Sequence, residues 1–177
     1  MSDSIVAYRY AKSLIDLASE KKVVDQVNED MDFFISLCEE NKQLLAVLKS
    51  PIVRHTKKLS ILQALFEGKV NSVTYGMFSI LTRKNRESLI YSLAVEYKKL
   101  YNQLNEIQIA KISSASALTE DQRNDIIRQL TEDLKKKIVL EETVNPDLIG
   151  GYVLQVNDSR KDTSIRKKLN ELALHLA

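Results

Sequence analysis

From Ser4 to about Asn105 the apolar residues return every third or fourth position, and almost nothing interrupts them. That spacing puts them on one stripe of an α-helix, whereas a strand would alternate every second residue. Four Gly and two Pro in 177 residues leave few places for tight turns, so long helices joined by short loops are expected. Val6, Tyr10, Leu14 and Leu17, with Ala7, Ala11 and Ala18 beside them, make one face of a first helix that ends near Lys21-Lys22. A second runs from about Val24 to Glu40 on Val27, Met31, Phe34, Ile35 and Cys38, and Asn41 stops it. A short third carries Leu44, Leu45, Val47 and Leu48. Ser50-Pro51 then breaks the pattern, because the residue before a proline disfavours helix. The fourth uses Leu59, Leu62, Leu65 and Phe66 and is closed by Gly68, a residue suited to a left-handed cap. Ser72 opens a fifth, on Val73, Met77, Ile80 and Leu81, that lasts until Lys84-Asn85. A sixth starts at Glu87 and uses Leu89, Ile90, Leu93, Tyr97 and Leu100. Six amphipathic helices with short connections read as a bundle, and no fixed repeat period suggests a solenoid.

After Asn105 the character changes. Ile107 to Ile112 alternates and is rich in β-branched residues, as in a strand. Thr119-Glu120-Asp121-Gln122 is a capping box that opens a helix burying Ile126, Ile127, Leu130 and Leu134. Ile138-Val139-Leu140 begins a second strand, Val144-Asn145-Pro146-Asp147 makes a turn, and Tyr152 to Val156 is a third strand. Asp162 or Ser164 caps a last helix striped with Ile165, Leu169, Leu172 and Leu176. The expected fold is therefore mainly α: a six-helix bundle over residues 1–105, followed by a small α+β domain over 106–177. A strand, a crossover helix and a strand allow a parallel pair, with the third strand antiparallel to the second.

Composition narrows what such a chain does. Apolar residues are 44% and charged residues 28%, an ordinary balance for a folded domain and too apolar for disorder. The 26 basic and 24 acidic residues are interleaved, so no basic face exists and no nucleic-acid partner is expected. The basic run Lys135-Lys136-Lys137 is read as a solvated helix end. A single cysteine, Cys38, lies in an apolar stretch and reads as a buried small hydrophobe. No apolar run approaches the ~20 residues of a membrane-spanning helix, and no signal peptide is visible. The chain is expected in the cytoplasm, or peripheral to a membrane through a partner.

Signatures of chemistry are missing. There is no GxxxxGK[ST], GxGxxG or GxSxG, and Gly150-Gly151 reads as a turn entering a strand. His55 and His175 have no metal-site spacing. Glu39-Glu40 and Glu141-Glu142 are neighbours whose side chains point in different directions. No catalytic residue, cofactor or metal ligand is assigned, and the expected role is binding rather than catalysis.

The first and fifth helices are more apolar than one buried stripe requires. Ile5, Tyr8 and Ile15 form a second partial stripe on the first, and Tyr75 and Phe78 lie beside the Val73-Met77-Ile80 line on the fifth. Pattern alone leaves two readings open: central helices, or a groove that receives an amphipathic helix of another protein. Ser13 and Gly76 are small enough to let such a helix approach closely.

Six stretches carry a family resemblance: AYRYAKSLIDL (7–17), LKSP (48–51) followed by Lys57-Lys58, LTRKNRESL (81–89), ISSASAL (112–118), VNPDLIGGYVLQVND (144–158) and DTSIRKKL (162–169). Taken in order over nearly the whole chain, they resemble the δ subunit of bacterial F-type ATP synthase, the oligomycin-sensitivity-conferring protein of mitochondria. Asn157 stands where that family usually has glycine, and Asn145 where aspartate is common; both positions are turns. The resemblance implies a non-catalytic stator subunit of the peripheral stalk, held at the cytoplasmic face of the bacterial inner membrane without inserting into it. It implies that the bundle grips the N-terminal helix of an α subunit between its first and fifth helices. It implies also that the C-terminal domain binds the b subunits, so that rotor torque drives ATP synthesis coupled to proton transport. On that basis Val6, Tyr10, Ser13, Leu14, Leu17, Gly76, Met77, Ile80 and Arg83 are the expected groove residues.

Overall fold

Asn41 ends one helix and begins the next. Its backbone N–H closes α2 (Val24–Glu40), while its side chain accepts from the N–H groups of Gln43 and Leu44 at the start of α3 (Lys42–Lys49). Such a side-chain cap satisfies backbone donors that the first turn leaves unpaired. The computed structural model describes residues 3–176, with side chains placed for 4–169, 171 and 172. Two compact units result, Met1–Asn102 and Gln103–Ala177.

The first unit holds α1 (Asp3–Glu20), α2, α3, α4 (His55–Phe66), α5 (Ser72–Arg83) and α6 (Ile90–Leu104). A 3-10 turn, Glu87–Leu89, leads into α6 where the sequence suggests an uninterrupted helix. Gly68 (φ +72) and Asn85 (φ +54) lie just beyond α4 and α5 in the left-handed conformation that ends helices. Asp30 of α2 holds the start of α5, accepting from the Asn71 N–H at 2.8 Å and from Thr74 Oγ1 at 2.6 Å. A carboxylate there also suits the positive end of the helix dipole.

One core runs through all six helices. Its centre is a trio of rings from three helices, Phe34, Phe66 and Phe78, with centroids 5.2–5.6 Å apart. Tyr97 is fully buried and donates to the Val24 carbonyl at 3.2 Å. Cys38 is buried as expected, and burial, with Glu39 beside it, pushes its thiol pKa up to about 11. The thiolate is thus suppressed at neutral pH. Buried among these apolar groups is one ion pair: Lys58 Nζ lies 2.5 Å from Glu87 Oε1 and donates to the Leu48 carbonyl at 3.0 Å.

The second unit holds β1 (Ile107–Ser114), α7 (Glu120–Leu134), β2 (Lys137–Val144), β3 (Tyr152–Val156), β4 (Ser159–Asp162) and α8 (Ile165–Leu176). The sheet order is β2-β1-β3-β4. β1 and β2 pair in parallel through the crossover α7, with Ile107 opposite Lys137. β3 is antiparallel to β1 and pairs with it rather than with β2, so β1 is central. The Thr119–Gln122 capping box forms, and Arg123 ties α7 to β2 through Glu142, whose carboxyl it holds below the usual range. The small core consists of Ala110, Leu130 and Ile138, surrounded by Ile126, Ile127, Leu140, Leu154 and Val156.

Sequence periodicity gives three strands where there are four. β4 is Ser159-Arg160-Lys161-Asp162, a charged edge strand with no apolar residue to mark it. It forms a hairpin with β3 across Asn157-Asp158, and Asn157 takes φ +51 where a glycine would be at ease. Of the two proposed caps for the last helix, Ser164 is the one used: its Oγ accepts from the Lys167 N–H, and Asp162 in turn accepts from the Ser164 N–H. The side chain of Leu176 lies outside the described residues.

Two backbone positions before β3 are unusual. Gly151 has φ +75, and a Cβ there would sit 2.5 Å from the Thr163 carbonyl oxygen. Ile149 has φ +67 and ψ −39, a conformation that costs a β-branched residue about 1–3 kcal/mol, and its side chain is 65% exposed. The chain is therefore mainly helical, with eight α-helices among the described residues and one small four-stranded sheet in its C-terminal part.

Candidate functional site

α1 packs against α5, and the buried arcs of the two helices differ from the stripes that periodicity suggests. On α1 the buried residues are Ala7, Ala11, Leu14, Ile15 and Ala18. Val6 and Tyr10 are half-buried and Leu17 is 38% exposed, so this side of the stripe turns outward. On α5 the buried residues are Val73, Thr74, Met77, Phe78, Leu81 and Thr82. Phe78, which the sequence places off the core line, belongs to the ring trio, while Ile80, which it places on that line, is 47% exposed. Thr74 and Thr82 hide the true arc from a count of apolar residues. Both can be buried because their hydroxyls donate, to Asp30 and to the Phe78 carbonyl.

What remains outside these arcs forms a seam. Helical periodicity puts Val6, Tyr10, Ser13 and Leu17 on one flank of α1, and Gly76, Ile80 and Arg83 on one flank of α5. Arg86, just beyond α5, donates from Nη1 to Tyr10 Oη at 3.0 Å and lies over its ring, which ties the two flanks together at one end. Met77, midway along α5, is 9% exposed, and Leu14 is wholly buried, a core residue lying beneath any surface. Ile5 and Tyr8 are exposed, but on another side of α1; Ile15, grouped with them by sequence, is buried.

The small residues of the seam have no duty inside the fold. Ser13 Oγ donates to the Arg9 carbonyl of its own helix at 3.0 Å, so it presents a compact, satisfied surface. Around Gly76 nothing lies within 4 Å of the position a Cβ would occupy. A mid-helix glycine costs about 1 kcal/mol relative to alanine, and packing within the chain gives no reason for it.

Elsewhere, His55 is exposed and the side chain of His175 lies outside the described residues. Among the described residues no cluster of three or more His, Cys, Asp or Glu side chains is arranged to hold a metal ion. No described helix is long and apolar enough to cross a membrane.

Fold and seam together define a mainly helical chain of two units, the first carrying an exposed apolar seam bordered by small residues. The chain belongs to the ATP synthase delta (OSCP) subunit family, whose pattern matches residues 6–176. Membership makes it a part of the ATP synthase. It is 41% identical over 172 residues to ATP synthase subunit delta of Cytophaga hutchinsonii, covering 97% of this chain and 94% of that one. It is 32% identical over 177 residues to the corresponding subunit of Flavobacterium johnsoniae, covering 100% and 99%. A chain in the mitochondrial ATP synthase hexamer of Toxoplasma gondii shares the fold, with a TM-score of 0.74 at 18% identity over 96% of both chains.

Proposed function

We propose that this chain is a non-catalytic stator of the peripheral stalk, joining the catalytic head of the ATP synthase to the b subunits. In this reading the six helices of the first unit act as one bundle. It holds the N-terminal helix of an α subunit in the seam between α1 and α5, while the second unit holds the b subunits. The head is then kept from turning with the rotor, and torque goes into ATP synthesis coupled to proton transport. The chain sits peripherally at the cytoplasmic face of the inner membrane, held there by its partners. It needs no cofactor and no nucleic acid.

The observation that carries this reading is the seam itself. Val6, Tyr10, Leu17 and Ile80 leave apolar surface at the join of two helices, and Ser13 and Gly76 open room beside it. An amphipathic helix laid into a groove needs such surface, with a few anchors supplying most of the affinity. Arg83, exposed in the last turn of α5, can meet an acidic residue of the incoming helix.

Calorimetric titration of the full chain with a peptide of the α subunit's N-terminal segment tests it. Ile80→Asp is expected to weaken binding at least about tenfold while helical circular dichroism stays unchanged, because Ile80 is exposed. Unchanged affinity in that variant counts against the seam. Gly76→Ala provides a test of opposite sign: it is expected to raise stability by about 1 kcal/mol and to weaken docking. Gain in both would mean that no partner approaches Gly76.

A further inference from the structure

Charge is balanced over the whole chain but not within the first unit, which corrects the interleaving expected from the totals. From Asn41 to Arg86 there are nine lysines and arginines and a single acidic residue, Glu67. From Val24 to Glu40 there are six acidic residues and no basic one. Folding gathers much of the positive charge at one end of the bundle. The buried Lys58–Glu87 pair, with its bond to the Leu48 carbonyl, brings together the end of α3, the start of α4 and the turn after α5. Lys49, Arg54, Lys57, Arg83 and Lys84 stand exposed around that junction. None of the five makes an ion pair among the described residues.

Two details set this charge apart from what the fold needs. Lys57 lies in the first turn of α4, which has no acidic residue and no side-chain cap, so its charge opposes the helix dipole. Ile52, between Lys49 and Arg54 in sequence, is 89% exposed, the most exposed large apolar residue among those described. Its N–H donates to Ser50 Oγ at 3.3 Å, which braces the turn around Pro51 with the isoleucine side chain in water.

We propose that this basic end is a second contact surface of the first unit, separate from the α1–α5 seam. It fits an acidic polypeptide segment of the catalytic head that carries an apolar side chain to cover Ile52. The proposal rests on the reading that the first unit docks on the head, and it adds what draws the two together. The seam works only on contact, whereas unpaired charge acts across water and speeds the encounter. Other occupants fit less well. Nucleic acid is gripped by stacking as well as charge, and residues 48–58 and 81–87 contain no Phe, Tyr or Trp. The Tyr10 ring is already covered by Arg86. A lipid surface takes up the apolar face of a helix lying in its plane, whereas Ile52 is one residue on a turn. A second copy would have to offer its acidic α2. There Asp25 is held by Tyr101, Asp30 by Asn71 and Thr74, and Asp32 by Lys98.

The test is stopped-flow association of the full chain with purified catalytic head of the same organism lacking this subunit, from low to high salt. Arg54→Glu and Lys57→Glu together are expected to slow association at least about tenfold at low salt. Dissociation should hardly change, and the effect should vanish near about 1 M salt. Lys42→Glu and Lys69→Glu together make the same change in net charge at the other ends of α3 and α4. They are expected to slow association no more than about threefold. Lys57→Glu alone is expected to raise the melting temperature while association slows, the reverse of what damage to the fold would do. Equal slowing by the two double variants overturns the proposal in favour of net charge alone. Association that neither alters overturns it too and leaves the seam reading intact, whereas no association of the unaltered chain overturns both. A mixed-sequence oligonucleotide and anionic phospholipid vesicles serve as parallel probes. Capture of either one by this end, with association to the head unchanged in the first double variant, reassigns the surface to nucleic acid or to lipid.

Discussion

Lys58→Ala is expected to cost the first unit about 3–5 kcal/mol, a large share of the stability of a domain this size. Lys58 and Glu87 are 3% and 7% exposed, and neither has water to fall back on. The ammonium group serves two acceptors at once, Glu87 Oε1 and the Leu48 carbonyl. Removing it leaves a carboxylate buried without its counter-charge, and Glu87 Oε2 already has no hydrogen-bond partner. The pair also joins α4 to the end of α3 and to the turn before α6, so its loss loosens two connections together. Urea denaturation followed by tyrosine fluorescence measures this cleanly. Trp is absent, and six of the seven tyrosines lie within residues 1–102. The double variant Lys58→Met/Glu87→Leu is expected to lose far less than either single truncation, because apolar side chains of similar size leave no charge unpaired. A single truncation costing under about 1 kcal/mol would mean that water reaches the pair.

Phe34→Ala is expected to be as damaging, at about 3–5 kcal/mol. Phe34 is wholly buried and touches both other rings of the core, Phe66 of α4 and Phe78 of α5. Truncation removes the ring that joins three helices and leaves a cavity that fixed helices close poorly. The melting temperature of the first unit should fall by more than about 10 °C. Phe34→Leu, which fills much of the space, should lose less than half as much. Because Phe78 is only two residues from Ile80, the truncation is also expected to weaken docking at the seam. A fall of only a few degrees would show that the trio is not the centre of the core.

The helices were legible because each buries a stripe, and caps such as Asn41 and Thr119 mark their ends chemically. Which side of a helix faces inward was harder to read. On α5 the inward line Thr74-Phe78-Thr82 has polar ends, so counting apolar residues turned the helix away from its true arc and exchanged Phe78 with Ile80. On α1 the alanines hold the buried centre, and larger residues at its side drew the stripe outward. β4 was hidden because an edge strand made of Ser, Arg, Lys and Asp has no alternation to display; only the Asn157-Asp158 turn announced it. The Lys58–Glu87 pair left no local trace, since its members are 29 residues apart and meet only after folding. Of the seam, the small residues Ser13 and Gly76 were readable as openings, but Leu14 lies in the core.

The strand order has a mechanical side. A pull passed down the chain from α6 enters the sheet at Ile107, the first residue of an inner strand. β1 is held by eight residue pairs to β2 and five to β3, and its hydrogen bonds lie across the strand's own axis. Drawing it out shears both ladders at once. A pull arriving through α8 meets β4 instead, an edge strand with four residue pairs that can peel one after another. The sheet is therefore strong in tension from one end and weak from the other. A load carried by α8 alone would unzip the unit before much force passed through it, whereas one that also held β3 would spare the hairpin.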